Sequence, residues 1–245
     1  MSERVLTLSN IWKRFGDVDV LRGIDLEVNT HEVVALIGAS GSGKSTLLRT
    51  INLLERIDDG QVMLRGTDIS DPAIKADAVR ARIGVVFQHY NLFPHMSVLD
   101  NVTLASRHVL GQSKDVAEAR GLELLERIGL APQARSFPDR LSGGQQQRAA
   151  IVRAIATSPE LLLLDEVTSA LDPELVAEVL DLVRELKSEG TTIVMATHEM
   201  AFARDVADRV VFLDKGVIAE QGPPAQVFGA PREQRTKEFL GRTFP

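Results

Sequence analysis

Residues 38–45 read Gly-Ala-Ser-Gly-Ser-Gly-Lys-Ser, spaced glycines followed by a lysine and a hydroxyl. The stretch fits G-x-x-x-x-G-K-[S/T], and its surroundings complete the pattern. A continuous apolar run, VVALIG (33–38), leads in, and a helix-like run, KSTLLRTINLLER (44–56), leads out. Gly38, Gly41 and Gly43 leave room for backbone N–H groups to approach phosphate oxygens. Lys44 supplies a point charge at the outer phosphates, and Ser45 offers a hydroxyl to Mg2+. The chemistry this predicts is binding of a nucleoside triphosphate.

Further groups sit where a phosphate chemist would want them. The apolar run LLLLDE (161–166) ends in two carboxylates. Asp165, at the carboxyl end of a buried strand, can hold Mg2+ through water, and Glu166, next along the chain, can polarise an attacking water. His198 follows another apolar run, TTIVMAT (191–197), and emerges at the same end of a parallel sheet, where ligands bind. It can bond a terminal phosphate or orient water, although a strand-end histidine alone is ordinarily just a loop residue. His31, His89, His95 and His108 keep that plain reading. Gln88 ends RIGVVFQ (82–88), and its amide can reach Mg2+ or water. Phe15 in WKRFGD can stack on a base, though such an aromatic is more often core.

A second glycine-rich start, LSGGQQQR (141–148), carries no lysine. Helix starts attract anions, and Ser142 suits an N-cap. Two consecutive glycines, each costing about 1 kcal/mol inside a helix, ask for a further reason.

The elements that must position these groups follow from periodicity. Residues 4–15 and 18–29 alternate apolar and polar, as half-buried antiparallel strands do. GQVMLRG (60–66) reads as a further strand. From about Ser97 to Pro138 helical spacing takes over, as in DVAEARGLELLERIGL (115–130). A helix over 173–187 and a hairpin over 209–222, turning at Asp214-Lys215-Gly216, complete the pattern. Buried strands alternating with helices predict a parallel α/β core, with the antiparallel strands and helical insert as additions.

The bulk numbers exclude several classes. The 245 residues suffice for one substantial domain, with room for a smaller subdomain, and 44% hydrophobic content suits an ordinary core. A net charge of −6 argues against a general nucleic-acid binder. The absence of cysteine removes disulfides, thiol nucleophiles and cysteine metal sites. No apolar stretch approaches the roughly 20 residues a membrane span needs, and MSERVLTLSN lacks the shape of a secretory signal. The chain is expected to be soluble and intracellular, meeting a membrane only through a partner.

Taken in order, Phe15, GASGSGKS, Gln88, LSGGQ, LLLLDE, SALD (169–172) and His198 resemble the ATP-binding cassette (ABC) family of transport ATPases, over essentially the whole chain. QHYNLFPHMSVLDNV, THEMAFARDVADRVVFLDKG and RTKEFL are similar to the ATPase subunits of bacterial polar amino-acid importers. The resemblance implies a phosphate-loop NTPase with a RecA-like parallel sheet core, an antiparallel β subdomain and a helical signature subdomain. It divides one ABC ATPase domain into an antiparallel part (1–32 and 60–70), a nucleotide-binding core (33–58, 80–90 and 158–222), a helical signature part (91–157) and a tail (223–245).

It also implies roles. Phe15 would stack on adenine. Gly38, Ser40, Gly41, Ser42, Gly43, Lys44, Ser45 and Thr46 would hold phosphates, with Ser45, Gln88 and Asp165 serving Mg2+. Glu166 would be the general base and His198 the γ-phosphate switch. Ser142, Gly143, Gly144 and Gln145 would close over ATP bound to a second, identical copy, with Asp172 linking the two sites. The lysine missing from that second start would then be the other copy's Lys44. The region from Gln88 into the helical insert would receive membrane permease subunits, and a separate solute-binding protein would select cargo. Such a subunit would be peripheral, at the cytoplasmic face of the inner membrane, with no nucleic acid partner.

Two positions depart from the family pattern. Val167 stands where the family has proline, restoring an N–H beside the carboxylates, and Phe15 replaces the commoner tyrosine. Alternatives within the family are another cargo, lipoprotein release or cell division. Further off lies a non-transport cassette of DNA repair or translation, disfavoured by the short spacing between Gln88 and Ser142 and by the single phosphate loop.

Overall fold

The computed structural model describes residues 3–243. Positions 1–2 and 244–245, within the expected antiparallel part and tail, lie outside the described residues. Along the chain run β1 (Arg4–Phe15), β2 (Val18–Asn29), β3 (Val33–Ile37), α1 (Lys44–Ile51), β4 (Asp59–Leu64), β5 (Thr67–Asp68), α2 (Ala76–Arg80) and β6 (Ile83–Val86). There follow α3 (Val98–His108), α4 (Lys114–Arg127), α5 (Gly143–Ile155), β7 (Leu161–Asp165), α6 (Pro173–Ser188), β8 (Ile193–Ala196), α7 (Met200–Val206), β9 (Arg209–Asp214), β10 (Val217–Gly222), α8 (Pro224–Gly229) and α9 (Gln234–Thr243).

The chain divides into two compact units, Met1–Ala76 with Gly190–Pro245, and Asp77–Glu189. In the first, β2, β1, β4 and β5 form an antiparallel sheet in that order. The alternation read from the sequence is what buries Leu6, Leu8, Leu26 and Val28 beneath polar neighbours. A second layer pairs β3 in parallel with β8 on one side and β9 on the other, with β10 antiparallel to β9. All five residues of β3 are buried, as expected of a strand covered on both faces. Helix α1 packs against β2 and β8, and α7 against β3.

The β9–β10 hairpin turns on Lys215 (φ 49°) and Gly216 (φ 81°), both left-handed, as a two-residue turn matched to strand twist requires. Its tip braces the phosphate loop: Gly216 N–H donates to the Ser42 carbonyl at 3.1 Å, and Arg22 N–H donates to the Gly216 carbonyl at 2.8 Å.

In the second unit, β6 and β7 run parallel, Val86 opposite Leu164. Helix α5 packs on α3, α6 and β6, and α3 on α4. Ser97 and Ser113 cap α3 and α4 by accepting from the N–H groups of Asp100 and Val116.

The sequence expectations need two corrections, and the tail gains detail. The helix expected over 44–56 stops at Ile51. Leu53 takes a left-handed φ of 59°, and Leu54 and Glu55 both turn their N–H groups back to the Arg49 carbonyl. The strand expected over 82–88 ends at Val86, leaving Gln88 exposed in the loop beyond it. The expected tail holds two helices, α8 and α9.

The start of α9 depends on a buried carboxylate. Glu220, on β10 and 7% exposed, accepts from the N–H groups of Arg232 (2.9 Å) and Glu233 (3.1 Å) and from the Gln226 amide (2.6 Å). Burial pushes this carboxyl up, but the hydrogen bonds to its charged form together outweigh it and hold its pKa below the usual range. Glu220→Gln is expected to cost about 1.5–3 kcal/mol at neutral pH, the range for hydrogen bonds to a charged group. Because the folded pKa is depressed, the charge contributes fully above the unfolded value of about 4.3 and is lost as pH falls through the folded one. Urea unfolding of both proteins across pH 3–7 checks this: the gap between them should close on the acid side.

Candidate functional site

The phosphate loop grows directly out of β3. Gly38 has φ 149°, and a Cβ there would lie 2.3 Å from the Leu213 carbonyl and 2.8 Å from Ser42 Oγ, so no side chain fits. Gly43 (φ 107°) is the left-handed N-cap of α1, and a Cβ there would meet Leu21 and the Val20 carbonyl at 2.9 and 3.0 Å. No side chain caps this helix, so its first N–H groups face the loop, where an anion satisfies them. Lys44 is 4% exposed, and its ammonium donates to the carbonyls of Gly38 (2.9 Å) and Ala39 (3.3 Å). Ser42 Oγ is buried with no hydrogen-bond partner. A buried hydroxyl left unsatisfied is costly, and a phosphate oxygen is the partner this cradle fits. Ser45 and Thr46 lie in the first turn of α1, and Ser40 and Gly41 are exposed on the loop.

His198 reaches the same end of the sheet. The parallel register sets Leu36 against Ala196, so the phosphate loop after Ile37 and His198 after β8 leave on one side. His198 is exposed, at a turn where Glu199 N–H donates to Thr197 Oγ1 at 3.0 Å. Phe15, at the end of β1, is 45% exposed, and the Lys13 ammonium lies 4.9 Å from its ring centroid. That cation–π contact, which the sequence reading missed, leaves the opposite ring face for a stacking partner.

In the second unit Asp165 ends the fully buried β7 and is itself 5% exposed. Glu166 follows with φ 48°, a left-handed position that costs a non-glycine residue about 1–2 kcal/mol. The turn is held by Ser169, whose N–H (3.1 Å) and hydroxyl (2.8 Å) both donate to the Glu166 carbonyl. Val167 is 8% exposed just beyond it. The β6–β7 register places Gln88 at the same end of that pair as Asp165. Asp172 is the exposed N-cap residue of α6, and the Leu175 N–H donates to its carbonyl at 2.8 Å.

The signature stretch forms a reciprocal cap. Ser142 Oγ accepts from Gln145 N–H at 3.3 Å, and Gln145 Oε1 accepts from Ser142 N–H at 3.0 Å. Gln145 thus spends its amide oxygen inside the chain. Gly143 also has a packing reason here that the sequence did not show, and Gly144 packs closely on α6. A Cβ on Gly143 would lie 2.7 Å from the Tyr90 hydroxyl, and one on Gly144 3.2 Å from Leu175 Cβ.

The loop after Gln88 is firmly built. Arg153 donates to the carbonyls of Asn91 (2.6 Å) and Tyr90 (3.3 Å), and burial lowers its pKa. Asn101, fully buried, accepts from Phe93 N–H at 2.8 Å and donates to the Phe93 and Ser97 carbonyls at 3.1 and 3.0 Å. Phe87, Asn91, Phe93, Asn101, Val109 and Arg153 line a mainly apolar groove of about 530 Å³ beside it.

With this geometry in hand, the comparison with known families is decisive: residues 21–169 match the family described as ABC transporter. The chain belongs to the ABC transporter family. It is 49% identical over 238 residues to the glutamine transport ATP-binding protein GlnQ of Bacillus subtilis (strain 168), covering 97% of this chain and 98% of that protein. It is 48% identical to the glutamate/aspartate import ATP-binding protein GltL of Escherichia coli (strain K12), covering 97% and 99%. Among solved structures, a dimeric ATP-binding cassette in a post-hydrolysis state bound to ADP and Pi matches with a TM-score of 0.79 and 33% identity, covering 89% of this chain and 98% of that one. The family resemblance read from the motifs therefore holds across the ABC chain. Among the described residues no helix is long and apolar enough to cross a membrane.

Proposed function

We propose that this chain is the ATP-hydrolysing subunit of an importer of polar amino acids. The observation that carries the reading is the phosphate loop. Gly38 and Gly43 leave no room for a side chain, its lysine is held at the cradle, its helix lacks a side-chain cap, and Ser42 Oγ waits unpartnered. Relatives named for glutamine and for glutamate/aspartate transport, at 48–49% identity, support the cargo class.

In this reading Phe15 stacks on adenine, while the loop backbone, with Ser40, Gly41, Ser42 and Thr46, holds the phosphates. Lys44 exchanges its carbonyl partners for β- and γ-phosphate oxygens. Ser45, Gln88 and Asp165 are hard oxygen donors suited to Mg2+, which when bound offsets charge on the phosphate oxygens. Glu166 accepts a proton from water as that water bonds to the γ-phosphorus and the bond to the ADP oxygen breaks. His198 bonds the γ-phosphate and reports its departure.

The signature stretch, Ser142 to Gln145, acts on ATP bound by a second copy, with Asp172 joining the two sites. A solved relative that is dimeric with ADP and Pi supports this pairing. The apolar groove beside the loop after Gln88 suits a helix from a permease subunit, and a separate binding protein would choose the amino acid. The chain would then sit peripherally at the cytoplasmic face of the inner membrane. Purification from native membranes tests the assignment: an integral membrane protein should co-isolate with the chain, and repeated recovery without one would count against import.

A further inference from the structure

Tyr90 has no place in the proposed chemistry, yet it stands where three functional segments of the second unit meet. It lies two residues after Gln88 and is half-buried. Its hydroxyl donates to the Ala170 carbonyl at 3.2 Å, in the SALD turn that leads to Asp172. The same oxygen lies 2.7 Å from where a Gly143 Cβ would sit, at the first turn of α5. Arg153, from the far end of α5, holds the Tyr90 and Asn91 carbonyls. The tyrosine is therefore gripped through its backbone by the signature helix, faces that helix's first residue, and bonds the turn before α6.

We infer that Tyr90 is a positioning residue for ATP hydrolysis: it latches the loop carrying Gln88 to the signature start at Gly143 and to the turn at Ala170, so that the three move together. The inference rests on the hydrolytic reading above. It also gives Gly143 a second reason to be glycine, independent of any phosphate. The backbone of Gly143 is helical and would suit alanine, so the conflict is with the Tyr90 hydroxyl, which a Cβ would push away from its place beside the Ala170 carbonyl. Without the hydroxyl, the Tyr90 contacts of a residue-143 Cβ reduce to the ring carbon Cζ at 3.6 Å, an ordinary van der Waals distance.

That difference of one oxygen atom makes the test. In nucleotide-free protein, Gly143→Ala should lower the thermal midpoint by about 2–10 °C, the range for an overpacked site in a domain this size. In a Tyr90→Phe background the same substitution should lower it far less. No nucleotide is present, so this arm does not depend on how the signature meets phosphate. Equal losses in both backgrounds would overturn the contact.

The functional arm is steady-state ATPase of Tyr90→Phe beside Gln88→Ala. Losing one neutral hydrogen bond in the latch should lower kcat about 2- to 10-fold with KM for ATP unchanged, because the nucleotide-binding lysine is elsewhere. A purely structural role would move the midpoint and leave kcat alone. Unchanged kcat in Tyr90→Phe overturns the latch, whatever Gln88→Ala does. Reduced kcat in Tyr90→Phe with normal Gln88→Ala removes Gln88 from the chemistry while leaving the tie between α5 and the Ala170 turn.

Discussion

Glu166→Gln should lower ATP turnover by about 10²–10⁴, the loss typical of a missing general base, with ATP binding retained. The substitution is chosen because it changes so little else. Glutamine has the same length, and the left-handed backbone at φ 48° remains held by the two hydrogen bonds from Ser169 to the residue-166 carbonyl. What disappears is the ability to take a proton. Asp165, 5% exposed at the strand end, is untouched. Binding is read by equilibrium titration with ATP and turnover by phosphate release. Full turnover in this variant would remove Glu166 from the mechanism, and loss of binding would mean that it serves the nucleotide rather than the water.

The second large effect concerns shared sites. Lys44→Ala removes the cation from the phosphate cradle, and Ser142→Arg puts a bulky cation at the signature cap, so each variant alone should be nearly inactive. Mixed, they pair into dimers in which one site is intact, with Lys44 from one copy and Ser142 from the other. The second site carries both defects. Random pairing with independent sites then restores roughly a quarter of wild-type turnover. The physical reason for expecting exchange lies in the cap itself: Ser142 and Gln145 satisfy each other's N–H groups, yet no lysine stands among residues 141–148 to neutralise a phosphate. Demonstrated mixed dimers with no recovery would remove the support for cross-subunit sites.

Much of this was legible in the sequence because it is local. The alternation of residues 4–15 and 18–29 and the apolar runs that became β3, β7 and β8 report burial directly. The phosphate loop is legible because its glycines, lysine and hydroxyl must be consecutive to act. What escaped depends on tertiary neighbours. Nothing at Leu53 announces a left-handed residue ending α1, a conformation bulky side chains rarely adopt. Helix α9 begins just after Arg232 and Glu233, whose N–H groups are gathered by Glu220 on another element. The Lys13 contact with Phe15 requires side chains two residues apart to share one face of β1.

The signature glycines show the limit most clearly. Their pairing in sequence suggested a cradle for an anion, and helix propensity gave no other reason for them. The structure adds Tyr90, some fifty positions earlier, whose hydroxyl occupies the space a side chain at 143 would need. Spacing along the chain reveals groups that act together only when they are neighbours or share a period. A loop folded onto a helix start does neither.

The central claim is that ATP is held between two copies of this chain. It is tested most directly by the mass of the Glu166→Gln protein in solution, measured by light scattering with and without saturating Mg2+ and ATP. A chain of 26.8 kDa that doubles in mass on adding nucleotide, and returns when it is removed, is the predicted result. A nucleotide-saturated variant that stays at the single-chain mass, while the wild type at the same dilution hydrolyses ATP at full rate, would contradict it.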